Sequence, residues 1–397
     1  MTTKHAKKEP FTSQSITFYI MRMHPPPKTQ LQASKVTLKQ SEALKQPKMV
    51  AQTLALFISC FFLVSALSGE QQGVEGLGEG QVKFFVFGDS YADTGNNRIA
   101  LASSWKFPYG ITFPGKPAGR FSDGRVSTDF IAGYLRMKTP IPYRWRKQLA
   151  GRVKYGLNFA YGGTGVFDTQ APYPNMTTQI DFLQQLIKDS VYTKSDLETS
   201  LAFVSASGND YANYIAMNGS TAGFPTFISN VVSQLTVNLR RIHSLGVKKI
   251  AVGSLPPLGC LPTNTATSSF QQCEQTQNAL VNLHNQLLLQ AVTNLNNQTN
   301  SASFFILDIH NAFWTVFNQT QAHQGPKFEN PLQPCCVGVS AAFSCGSVDE
   351  NGEKKYTLCS NPKSMFFWDS LHPTQEGWRA VYSTPVFQNS LKQLWQN

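Results

Sequence analysis

The chain has no stretch of 18 or more apolar residues, no C-x-x-C pair and no two histidines at metal-ligand spacing. The first absence excludes an ordinary membrane-spanning helix, which needs about 20 apolar residues. The second and third weigh against a zinc site, because its ligands come in such pairs. The seven histidines are scattered, so no metal is expected. Charge is also scarce, at 14% of 397 residues, while hydrophobic residues make up 41%. That composition fills a large core and rules out disorder along the whole length. Basic excess is scarce too once its location is considered. Of the formal +11, residues 1–68 contribute nine Lys/Arg against two Asp/Glu, leaving 25 basic and 21 acidic residues, or +4, for the rest. A nucleic-acid partner therefore loses its main support.

What the sequence does contain begins with a leader. "LALFISCFFLVSAL", residues 54–67, is too short to span a bilayer and is followed by small and polar residues. It reads as the apolar core of a signal peptide covering 49–68, with cleavage near Ala66 to Gly69. Residues 1–48 form an upstream extension, with Met49 as an alternative start; a targeting extension or an uncleaved signal anchor are the rival readings. A Gly/Glu-rich linker occupies 69–81. Six cysteines follow, Cys260, Cys273, Cys335, Cys336, Cys345 and Cys359, an even number suited to disulfides in an exported chain; 15 connectivities are open. Sequons at Asn175, Asn218, Asn297 and Asn318 suit N-glycans on an extracellular surface.

From residue 82 to 397 no internal repeat or biased linker divides the sequence, so one domain is expected. Five apolar, β-rich runs, at 82–88, 153–160, 200–207, 248–255 and 303–309, read as strands buried on both faces. Helical patterns separate them, among them "FISNVVSQLTVNLRRIHSLG", which ends on Gly246, and "CEQTQNALVNLHNQLLLQAVTNL". The alternation predicts an α/β fold: a doubly wound, mainly parallel five-stranded sheet with helices on both faces.

Ligands of such sheets bind beyond the carboxyl ends of strands. The first run ends on Gly88-Asp89-Ser90, the second on "AYGGTG" and the third on "SGND". These supply a hydroxyl, a flexible backbone amide and a side-chain amide. Singly, each also suits a turn or a helix cap. Near the C-terminus, "FFWDSLHPTQEGW" sets Asp369 three residues before His372. A carboxylate on one ring nitrogen leaves the other free to take a proton from a hydroxyl. The same residues would also suit a helix start capped by Thr374. Asp89 is the weaker partner for the histidine, since adjacent side chains on extended backbone point apart.

Four blocks in this order, "FVFGDSYADTGN", "NFAYGGTGV", "SASGND" and "DSLHPT", resemble those of the plant GDSL esterase/lipase family, within the SGNH hydrolase superfamily. The pattern differs from that of ordinary α/β-hydrolases, because no G-x-S-x-G elbow surrounds the serine. The resemblance implies Ser90 as nucleophile, His372 as base and Asp369 as its orienting acid. It also implies an oxyanion hole made by the backbone amides of Ser90 and Gly163 and by Asn209, with Gly162 adjacent in register to Gly163. A secreted serine esterase or lipase acting on small-molecule or lipid esters, without cofactor or metal, is the expectation. An acyltransferase using the same site and a non-catalytic secreted glycoprotein of the same fold are the alternatives. The aromatic-rich loop from Trp105 to Phe121 is expected mostly to pack on the sheet.

Overall fold

The computed structural model describes residues 82–394 apart from Ser207, His323, Pro326 and Lys327. The leader, its cleavage region and the linker lie outside the described residues.

Six strands form one parallel sheet: β1 (Phe84–Gly88), β2 (Ile141–Pro142), β3 (Leu157–Asn158), β4 (Leu201–Ser205), β5 (Lys249–Gly253) and β6 (Phe304–Leu307), in the order β2-β3-β1-β4-β5-β6. A separate antiparallel pair joins β7 (Cys336–Gly338) to β8 (Tyr356–Leu358). Among the described residues the α-helices are α1 (Ser127–Tyr134), α2 (Met176–Lys188), α3 (Lys194–Glu198), α4 (Gly208–Ala216), α5 (Phe224–Ser244), α6 (Pro262–Thr265), α7 (Gln275–Thr299), α8 (Ile309–Gln321), α9 (Gln375–Ser383) and α10 (Pro385–Lys392).

The doubly wound architecture follows from the strand composition. Side chains alternate between the two faces of a strand. In β1, Phe85 and Phe87 point into a core built with α2, α5 and α7. Phe84 and Val86 point into the other, built with α1, α8, α9 and α10. All five β1 residues are buried, so the continuous apolar run is what a strand covered on both faces requires.

Two details differ from the expectation. The sheet has six strands rather than five, because the two-residue edge strand β2 is too short to give a periodic signal. The run 153–160 contributes only Leu157–Asn158; residues before it, Ala150–Tyr155, form a 3-10 helix. Without β2 the order is that of a flavodoxin-like sheet, with the winding direction reversing at β1. A ligand crevice is therefore expected at the carboxyl end of β1, where Gly88-Asp89-Ser90 lies.

The six cysteines pair as Cys260–Cys273, Cys335–Cys359 and Cys336–Cys345. The last two start on adjacent residues and cross-link the region around β7 and β8 within itself, while backbone hydrogen bonds join that region to the segment preceding Asp369. Cys335 N donates to Phe367 O at 3.0 Å and Cys336 N to Trp368 O at 2.7 Å.

Candidate active site

Strand β1 stops where Gly88 takes φ +140°, a region closed to ordinary side chains. A Cβ there would lie 1.9 Å from the Ser205 carbonyl oxygen of β4. Gly88→Ala is accordingly expected to lower the unfolding free energy by about 3 kcal/mol, read as a lower urea midpoint at unchanged m. Buried Gln179 of α2 fixes the same peptide from the other side: its Oε1 accepts from Gly88 N at 2.8 Å and its Nε2 donates to Gly88 O at 2.9 Å. The chain then turns, with Asp89 Oδ1 accepting from Tyr91 N at 3.0 Å. Asp89 therefore braces the turn, and Ser90 is left facing the crevice.

His372 reaches this serine from the far end of the chain. Its Nε2 lies 2.8 Å from Ser90 Oγ, and its Nδ1 lies 2.8 and 2.9 Å from the two Asp369 oxygens. All three residues are buried to within 8% exposure, which shields the chain of hydrogen bonds from competing water. Asp369 also accepts from the backbone N–H groups of Leu371 and His372 and, at 2.7 Å, from Tyr109 OH. Burial alone would raise the Asp369 pKa; His372, Tyr109 and the Leu371 amide reverse this and hold the carboxyl below its usual value. Thr374 caps α9 by accepting from Gly377 N at 2.8 Å. The helix-start reading of this segment thus holds together with the histidine–acid pairing, because the cap falls two residues beyond His372.

The glycine block and the amide block are held to each other. Asn209 Nδ2 donates to Thr164 O at 2.9 Å, and Asp210 accepts from the amides of Val166 and Phe167, both at 2.9 Å. Gly163 adopts φ +87°. Buried Asp93 spans from the first block to the second, accepting from Gly95 and Asn96 at 2.7 Å and from Gly162 at 3.1 Å. Burial raises the carboxyls of Asp89 to about 7 and of Asp93 and Asp210 to about 6.

Ser90, Asn209 and His372 share the wall of one cavity, while Gly163 lies outside that wall on the loop that Asn209 grips. Among residues the sequence left unremarked, Gln179 had a signal. In "MTTQIDFLQQLIK" it occupies a position on the apolar face shared with Met176, Ile180 and Leu183. Tyr109 had none, since only the fold brings the aromatic loop to Asp369. That loop packs on the histidine side: the Phe121 ring centroid lies 5.1 Å from that of His372, and Tyr109 stands edge-on to Trp368.

The sequence model for GDSL-like Lipase/Acylhydrolase matches residues 84–383. The chain belongs to this family. A GDSL esterase/lipase of Arabidopsis thaliana is 61% identical over 347 residues, covering 85% of this chain and 95% of the relative. A second from the same plant is 56% identical over 318 residues, covering 79% and 89%. Acetylajmalan esterase 2 of Rauvolfia serpentina is 29% identical over 335 residues, covering 78% and 91%. Among solved structures, the acetylxylan esterase Axe2 of Geobacillus stearothermophilus aligns at TM-score 0.36 and 12% identity, covering 81% of this chain and 96% of that one. As a GDSL-family member the protein is a carboxylic-ester hydrolase with a serine nucleophile.

Proposed function

We propose that the GDSL-family chain hydrolyses esters by two-step acyl transfer on Ser90, with His372 as general base and Asp369 orienting it. The observation that carries this reading is the 2.8 Å contact between His372 Nε2 and Ser90 Oγ, with a carboxylate on the other ring nitrogen. Ser90 Oγ forms a bond to the ester carbonyl carbon as His372 Nε2 takes its proton. The C–O bond to the alcohol then breaks, and the leaving oxygen receives that proton. Water, deprotonated by His372, attacks the acyl-enzyme and releases the acid and the free serine. The oxyanion is stabilised by the amides of Ser90 and Gly163 and by Asn209 Nδ2, whose second N–H is free of the bond to Thr164. None of these steps calls for a metal or an organic cofactor.

Export through the 49–68 leader is part of the same proposal. Three disulfides support it, because such bonds persist in oxidising compartments. Asn218, Asn297 and Asn318 are exposed and open to glycans; Asn175 is half-buried and caps α2, accepting from Thr178 N. No described helix is long and apolar enough to cross a membrane. Residues 82–397 are taken as one hydrolase domain, supported by the continuous sheet and the reach of the family match.

A fluorophosphonate probe tests the assignment. It is expected to label the folded protein once, on the peptide containing Ser90, with loss of ester hydrolysis in step. Labelling elsewhere, or none, would remove Ser90 from the mechanism.

A further inference from the structure

The cavity beside Ser90 continues well past the reacting atoms. It has a volume of about 170 Å³. Asn209, Ala212 and Ile215 line it from α4 at a spacing of three residues, so one helix face carries both the amide at the mouth and the wall behind it. At about 1.5 Å of rise per residue that wall is about 9 Å long. Ile228 of α5 and Leu280 and Val281 of α7 also line it. Among the described residues no lysine, arginine or glutamate lines the cavity, and Asp89 stands at its mouth beside Ser90. The inner wall offers no unused polar group at Tyr211 either, since that hydroxyl is bonded at 2.6 Å to Nδ1 of buried His284.

We propose that this cavity is an acyl-chain site, selecting esters whose acyl group is apolar and about six carbons in size. The inference rests on the assignment of Ser90 as nucleophile. Direction comes from the chemistry at the mouth. An ester carbonyl with its oxygen on Asn209 places its acyl substituent against Ala212 and Ile215. The leaving oxygen must face His372 Nε2, where Leu371, Thr263 and Asn264 form a rim in which Thr263 is exposed. Size comes from the volume: an apolar cavity of about 150 Å³ accepts benzene, a six-carbon ring, so the space here suits a hexanoyl or a benzoyl group. An acetyl group would leave most of the wall unfilled. A negatively charged acyl group would lose its hydration against a lining with no lysine or arginine to pair with it.

The test is a kcat/KM profile of the full chain on p-nitrophenyl acetate, hexanoate and benzoate. Each buried methylene is worth roughly fourfold and hexanoate carries four more than acetate, so hexanoate is expected to exceed acetate by about 250-fold. In Ile215→Trp and Leu280→Trp, which fill the cavity from half-buried positions, the hexanoate-to-acetate ratio is expected to fall at least tenfold. Leu289→Ala, an exposed position on α7, should keep the wild-type ratio. Benzoate tracking hexanoate in all variants supports one site for both shapes; benzoate insensitive to the two Trp variants limits the site to straight chains and overturns its aromatic arm. A flat profile, acetate preferred, or a hexanoate preference that survives both Trp variants would overturn the proposal while leaving Ser90 in place. Loss of all ester hydrolysis and of probe labelling in the wild type would instead overturn the Ser90 assignment.

Discussion

Ser90→Ala is expected to lower kcat on a p-nitrophenyl ester by about 10⁶, with the fold retained by circular dichroism. The size of the loss follows from what the hydroxyl supplies. Without it no acyl-enzyme forms, and the remaining machinery can only help water attack the ester directly. The proposed oxyanion donors at Ser90 N, Gly163 N and Asn209 Nδ2 stay in place, so a residual acceleration of about 10³ to 10⁴ over water should persist. His372→Ala should cost about as much, and the double variant hardly more, because each removes the same step. Retention of more than about 1% of wild-type kcat in Ser90→Ala would mean that another group attacks the ester.

Asp369→Asn comes second, with an expected loss of about 10⁴ in kcat at neutral pH. The carboxylate accepts four N–H or O–H groups: His372 Nδ1–H, two backbone amides and the Tyr109 hydroxyl. An asparagine amide has two acceptor sites on one oxygen, and its NH₂ group must face something that accepts. Turned toward the ring, it forces Nδ1 to accept, which moves the proton to Nε2 and leaves no base for Ser90. Tyr109→Phe makes the discriminating comparison. It removes one donor and keeps the carboxylate, so about tenfold is expected, in line with one charged hydrogen bond. A loss in Tyr109→Phe as large as that in Asp369→Asn would show that the loop, rather than the histidine tautomer, is what fails.

The legibility of this molecule in its sequence depended on range. Buried parallel strands announce themselves, because residues such as Phe84 to Phe87 must be apolar toward both faces. Four of the five expected strands are present, each two or three residues shorter than its apolar run. The second run misled because β-rich composition also suits the tight 3-10 turns of Ala150–Tyr155, and β2 is two residues long. That Ser90, Asp369 and His372 come together was legible because few residue types can pass a proton, and an aspartate three residues before a histidine is one such pair. The disulfide pairing was not, since six cysteines carry no record of their partners. Neither was Tyr109: a buried tyrosine looks the same in sequence whether its hydroxyl meets a carboxylate or a carbonyl.

The 282 residues that separate His372 from Ser90 bear on when activity first exists. At about 5 to 20 residues per second, the ribosome makes the serine roughly 15 to 60 s before the histidine. Through that interval the growing polypeptide carries the proposed nucleophile without the proposed base. Hydrolysis waits until the C-terminal segment has been made and has docked beside the serine. The proposed site is thus completed only when nearly the whole chain has been made.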